Sequence, residues 1–181
     1  MTVPFHVERV GRAVPEPDPL AMIQGVTIRL ATCSDAHDIS TLIYSQWHHR
    51  TSTPAERPAP EFFAGFAPET IKEHIGNIRY RYLVALSEGQ FVGVLGIRDN
   101  QCIMHLFVAE SHQRRGIARA LWNRTKSELM ADGGDVSVVT NSSIYAIPVY
   151  ERFGFKVIGP RAKRAGVAYV PMQLVISNRQ C

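Results

Sequence analysis

The sequence predicts an α/β domain of the α+β kind: a mixed, mostly antiparallel central sheet of about seven strands flanked by about four helices. Three observations predict it. Three strand-like runs follow one another at hairpin spacing in the middle of the chain. Segments with helical apolar periodicity lie on both sides of them and carry their own start and stop residues. The resulting order, β-α-α-β-β-β-α-β-α-β-β, contains no internal repeat. A length of 181 residues suits one domain with a single core.

The elements follow in order. Residues 1–25 hold Pro4, Pro15, Pro17 and Pro19 without a clean period and read as an N-terminal extension. Met22 is an alternative start. The domain spans 26–177, leaving 178–181 as a tail. "VTIRLAT" (26–32) alternates as a strand. The segment 34–49 reads as a helix, with Ser34 or Asp35 as N-cap and Ile39, Leu42, Ile43 and Tyr44 as its apolar stripe. Residues 50–68 read as a proline-rich loop, and 68–77 as a short helix with Pro68 in its first turn. The strands 80–87, 90–98 and 101–109 are separated by Glu88-Gly89 and Asp99-Asn100, which are hairpin turn signals. A helix over 116–134 carries Ile117, Leu121, Thr125 and Leu129 on one face and stops at Gly133-Gly134. A strand (136–140), a short helix (142–155) and two strands (156–161 and 168–177) complete the chain, the last two joined by the basic loop "RAKRAG".

Composition excludes several classes. Hydrophobic residues at 45% and charged residues at 20% describe an ordinary globular chain. No apolar run approaches the roughly 20 residues that span a bilayer. Cys33, Cys102 and Cys181 have neither disulfide-framework nor metal spacing, so no metal site is expected and a reducing cytoplasm is the expected location. A net charge of +4 suits an anionic ligand, without the basic-aromatic stripe that nucleic acid calls for.

The most informative stretch is "HQRRGIARAL" (112–121). It crowds Arg114, Arg115 and Arg119 around Gly116 at a helix entrance, where the backbone is already electropositive. Cations there cost stability unless an anion sits among them. The first helical N–H groups lack partners within the helix and bind phosphate readily. Gly116 and Ala118 allow close backbone approach, and Gln113 adds a neutral hydrogen-bonding group. A solvated basic turn before an ordinary helix is the alternative.

"LFVAESHQRRGIARAL" resembles the acetyl-CoA signature of the GNAT N-acetyltransferase superfamily, read here as Gln113-x-x-Gly116-x-Ala118. "TNSSIYAIPVYERFGF" resembles the family's later motif through Asn141, Ala146, Tyr150 and Gly154-Phe155. The resemblance covers roughly residues 26–176. It implies a GNAT-like fold and transfer of an acetyl group from acetyl-CoA to an amine. Gln113, Arg114, Arg115, Gly116, Ile117, Ala118 and Arg119 would hold the CoA diphosphate. The backbone of Phe107 and Val108 would pair with the pantetheine arm as an added strand does. The Val108 N–H would face the developing oxyanion. Asn141 would contact CoA, or cap the next helix. Tyr150 would protonate the departing thiolate, or pack in the core with Phe153 and Phe155.

The positions where several relatives carry a basic Glu or His fall on Cys102 and Met104. His105 is adjacent, but strand alternation turns it to the opposite face, which suits a packed histidine. Cys102 is an acyl-carrying nucleophile or a small core residue. His48, His49 and Glu73 lie in segments the family uses for the acceptor, where any could relay a proton; the consecutive His48-His49-Arg50 reads otherwise as a polar helix end. The acceptor pocket is expected from 47–66, with Trp47, His48, Phe62, Phe63 and Phe66, and from the strand end 168–172; the four aromatics either favour an acceptor with apolar bulk or pack the loop down. Arg161, Lys163 and Arg164 read as a solvated loop. The expected partners are acetyl-CoA, as co-substrate, and an amine acceptor; nucleic acid and membrane are not expected, and a homodimer is left open. A non-catalytic acetyl-CoA-binding regulator is the competing reading.

Overall fold

In a computed structural model of the chain, residues 23, 25–47, 58–131 and 134–177 are described. Most of the expected extension, the tail, His48, His49 and Gly133 lie outside the described residues.

Strand β1 (Val26–Leu30) leads through a 3-10 turn (Cys33–Asp35) into α1 (Ala36–Trp47). The cap is Thr32 rather than Ser34 or Asp35. The Asp35 carboxylate accepts from the Thr32 N–H at 2.7 Å and from Arg29 at 2.7 Å, which ties the turn back to β1. These partners hold its carboxyl down at about 2, the Arg29 hydrogen bond foremost. Next come α2 (Pro60–Ala64), α3 (Pro68–Gly76) and the strands β2 (Tyr80–Ser87), β3 (Gln90–Arg98) and β4 (Cys102–Val108). These three strands form the expected antiparallel meander. Their turns use left-handed backbone at Glu88, Gly89, Asp99 and Asn100, as two-residue hairpins require. The chain ends with α4 (Ile117–Ala131), β5 (Val136–Ser142), α5 (Ile147–Arg152), β6 (Lys156–Val157), β7 (Ala162–Arg164) and β8 (Val167–Ile176).

Among the described residues the sheet has eight strands in the order β1-β2-β3-β4-β5-β8-β6, with β7 paired to β8. Two elements go beyond the sequence reading. The α2 helix occupies the supposed loop, and at five residues it is too short to show a period; Pro60 starts it. The β7 strand is half of the basic loop, turned into a hairpin by positive φ at Ala165 and Gly166. Its residues lie at the surface, so no apolar alternation announces it. The strand expected over 156–161 is cut to two residues before Gly159-Pro160.

Helices cover both faces. On one, α4 buries Ile117, Leu121 and Leu129, with Thr125, against Leu83, Ala85 and Ile97. On the other, α1 and α3 bury Ile39, Ile43 and Ile71 against Tyr82, Val84 and Val94.

One detail of β4 corrects the expected facing of His105. Gly96 pairs with His105, but Ile97 pairs with Ile103, so Met104 is an extra residue bulged out of the strand. The bulge resets the alternation. Cys102, His105 and Phe107 pair with Arg98, Gly96 and Val94 and so share the face covered by α1 and α3. Ile103, Leu106 and Val108 face α4.

Candidate functional site

β4 and β5 run parallel for only two residue pairs, Cys102 with Val139 and Ile103 with Thr140. Beyond Ile103 they part, because β5 stays fully paired with β8 while β4 follows β3. The parting opens a cleft of about 610 Å³. Leu106 and Val108 line one wall; Tyr145, Ala146, Val149 and Tyr150 line the other, and the loop into α4 lies at its mouth.

The β4 wall presents backbone groups. The Ala109 N–H bonds Val92 of β3, at 2.9 Å. Alternation therefore turns the N–H and C=O of Val108 and Leu106 toward the cleft and those of Phe107 toward β3. Leu106, not Phe107, is thus the second residue with backbone to offer. The side chain of Phe107 packs on the opposite face, 6.2 Å from the Phe66 ring. Gln113 donates from Nε2 to the Val108 carbonyl at 3.0 Å, so the residue at the head of the motif braces the strand end.

At the mouth, Arg114 (φ 62) and Gly116 (φ 86) adopt left-handed backbone, which swings the chain sharply into α4. The Gly116 carbonyl accepts the Ala120 N–H at 2.9 Å, so the helix begins there. A Cβ at Gly116 would find only Ile23 Cδ1, at 3.8 Å, leaving that side of the backbone open to a ligand. Arg114, Arg115 and Arg119 are exposed around it. An anion in the cleft can therefore meet the first N–H groups of α4 together with the charge of Arg114 and Arg119. Arg114, Gly116, Ile117, Ala118 and Arg119 line the cleft; Arg115 does not.

Tyr150 meets both the cleft and the core. It lines the cleft from α5, and at 5% exposure it packs 5.3 Å from Phe155 and 6.3 Å from Phe153. Asn141 is exposed on β5 opposite Pro171 and lies outside the cleft lining. Sequence reasoning missed Gln46, Leu106, Tyr145 and Val149. Leu106 was accessible from the strand period counted back from Val108; the others carry no local signal.

The expected acceptor aromatics gather on the other face of the sheet. Trp47 stands 4.5 Å from Phe62, Tyr44 stacks on Phe63 at 5.8 Å, and Phe62 meets Phe66 edge-on at 5.0 Å. Phe66 reaches the His105 ring at 5.3 Å. The Trp47 Nε1–H is buried without a hydrogen-bond partner among the described residues. The β7–β8 hairpin meets the start of α2, its Ala165 carbonyl accepting from Ala59 N–H at 2.9 Å. Lys163 and Arg164 are exposed on that hairpin, as expected of a solvated segment. Cys102 Sγ lies 3.8 Å from Met104 Sδ, and burial pushes its thiol above the usual range. Among the described residues no group of three or more His, Cys, Asp or Glu side chains is arranged to hold a metal ion.

Residues 50–176 match a family model described as an acetyltransferase (GNAT) domain. The fold is similar to that of PaiA N-acetyltransferase from Thermoplasma acidophilum in complex with coenzyme A, with a TM-score of 0.65 and 15% identity over 83% of this chain and 98% of that one. It is similar to an aminoglycoside 6'-N-acetyltransferase complexed with coenzyme A (TM-score 0.61, 16% identity, 86% and 99% covered). It is also similar to the ribosomal-protein-S18-alanine N-acetyltransferase from Escherichia coli (TM-score 0.61, 18% identity, 86% and 96% covered). No curated protein sequence matches the chain.

Proposed function

The chain belongs to the GNAT acetyltransferase family, and from that premise we propose that it transfers an acetyl group directly from acetyl-CoA to a primary amine of a small molecule, peptide or protein. One observation carries the reading: a single cleft joins the anion site at Gly116 to the backbone edge of β4 and to Tyr150.

The residues present fit coenzyme A. Gly116 leaves the helix entrance open, Arg114 and Arg119 in the cleft supply charge that a diphosphate needs, and exposed Arg115 adds to it from outside the lining. Val108 and Leu106 offer backbone groups to the amides of the pantetheine arm. When bound, acetyl-CoA supplies an activated acyl group and a thiol leaving group. The Val108 N–H stabilises negative charge developing on the acyl oxygen, a task for which a fixed backbone donor needs no reorganisation. Tyr150 gives its proton to the departing sulfur.

Acetyl-CoA thiol release measured against a panel of primary amines tests this. Amine-dependent release is the expected result. Binding of acetyl-CoA with no release for any amine would favour a regulator that only senses the coenzyme.

The path of the acetyl group is direct. Burial raises the Cys102 thiol above its ordinary range, against the opposing charge of Arg98, which leaves little thiolate at neutral pH. Cys102→Ala is expected to keep its turnover within about threefold, since proximity in the cleft supplies the rate. A dead Cys102→Ala enzyme, together with an acetylated Cys102 seen by mass spectrometry before acceptor is added, would reverse this assignment.

A further inference from the structure

Among the described residues, the cleft is lined almost wholly by one stretch of chain, from Leu106 on β4 to Phe153 at the end of α5. The exception is Gln46, in the last turn of α1. That helix packs on the sheet face opposite α4, so Gln46 stands where the cleft meets the other face.

The side chain is unusual for its place. Gln46 continues the buried stripe of Ile39, Leu42 and Ile43, one helical turn beyond the last two. At 7% exposure it is a polar group in a slot where the helical period puts an apolar one. A buried carboxamide needs hydrogen-bond partners, and those of Gln46 are weak. Its Nε2 donates to the Ser45 hydroxyl at 3.2 Å. Its Oε1 accepts from Gln113 Nε2 at 3.5 Å, a long bond, and that nitrogen also donates to the Val108 carbonyl at 3.0 Å. A carboxamide oxygen has two lone pairs, so Oε1 keeps capacity for another donor. The shared donor on Gln113 holds this oxygen beside Val108, whose backbone faces the cleft.

We infer that Gln46 is a residue of the acceptor site: its Oε1 accepts a hydrogen bond from the attacking amine and turns the nitrogen lone pair toward the acetyl carbon. This rests on the acetyltransferase reading, which lays the coenzyme from the α4 entrance along β4 and leaves the amine to arrive from the remaining side. On that side Gln46 is the polar group that α1 brings into the cleft lining. The bond moves no proton. It fixes one N–H of the amine, and orientation of this kind supplies rate without any chemistry by the side chain. The neutral oxygen suits the task. A carboxylate in its place would favour the ammonium form, whose nitrogen has no free pair to attack with.

The same placement predicts a stability effect of opposite sign. A leucine at position 46 would complete the apolar stripe and remove a poorly partnered buried amide. The glutamine is therefore retained at a cost to stability, as functional residues often are.

The test uses the full-length enzyme and the amine that gives the most thiol release. Gln46→Leu is expected to lose about tenfold in kcat/KM for the amine, the worth of one hydrogen bond, with the KM for acetyl-CoA nearly unchanged. Its melting temperature is expected to equal or exceed that of the wild type. Gln46→Met, apolar and of similar length, makes the same comparison where leucine does not fold. Gln46→Glu keeps an oxygen of the same reach, so its KM for the amine is expected to stay near the wild-type value while kcat falls. An unchanged kcat/KM for the amine in Gln46→Leu and Gln46→Met overturns the contact. So does an equal rise in the KM for amine and for acetyl-CoA with a lowered melting temperature, which would make Gln46 a brace for Val108. Either outcome leaves the acetyltransferase reading standing. A wild type that releases no thiol with any amine overturns both.

Discussion

Gly116→Val is expected to abolish coenzyme A binding, with affinity falling about a hundredfold or more. The new side chain would stand over the helix entrance, in the space the structure leaves open beside Ile23. It would hold the diphosphate away from the N–H groups of α4, and hydrogen bonds to charged groups weaken steeply with distance. Valine at a φ of 86° also strains the backbone, at a cost of roughly 1–3 kcal/mol. Thermal melting separates that cost from the binding defect. Ala118→Glu provides a companion variant without the strain, since position 118 lies in the first turn of α4 and the added carboxylate would repel the diphosphate directly. Calorimetry that finds unchanged coenzyme A affinity in both folded variants would move the anion site elsewhere.

Tyr150→Phe is expected to lower the turnover number on the order of 10²-fold while acetyl-CoA affinity changes little, as for the loss of a general acid. The ring is 5% exposed and packs on Phe153 and Phe155, contacts that phenylalanine preserves. What disappears is the phenolic hydroxyl alone. The measurement needs a condition where chemistry limits the rate, which a single-turnover experiment supplies. An unchanged single-turnover rate would leave Tyr150 with packing alone.

Much of the fold was legible because its signals are local. The hairpin turns Glu88-Gly89 and Asp99-Asn100 declare themselves through residues that tolerate left-handed backbone. The α4 face of Ile117, Leu121, Thr125 and Leu129 follows from a 3.6-residue period, and all four are buried. The elements that escaped, α2 and β7, are short. Their existence depends on partners far away in sequence: β7 on β8, and the start of α2 on the hairpin carbonyl of Ala165.

The site divides in the same way. By itself, the order of residues determined the helix entrance with its arginines, the glycine that the turn demands, and the position of Tyr150 on the helix after β5. Those depend on spacing along one chain segment, and spacing is written in the sequence. Only the tertiary structure decided which face His105 occupies, because one bulged residue at Met104 inverts the alternation of everything beyond it and leaves no mark in composition. It also decided that Leu106 rather than Phe107 offers its backbone, and that Gly96 serves as the gap through which Tyr82 reaches His105. These are contacts between strands, and a contact between strands depends on register, which no single strand contains.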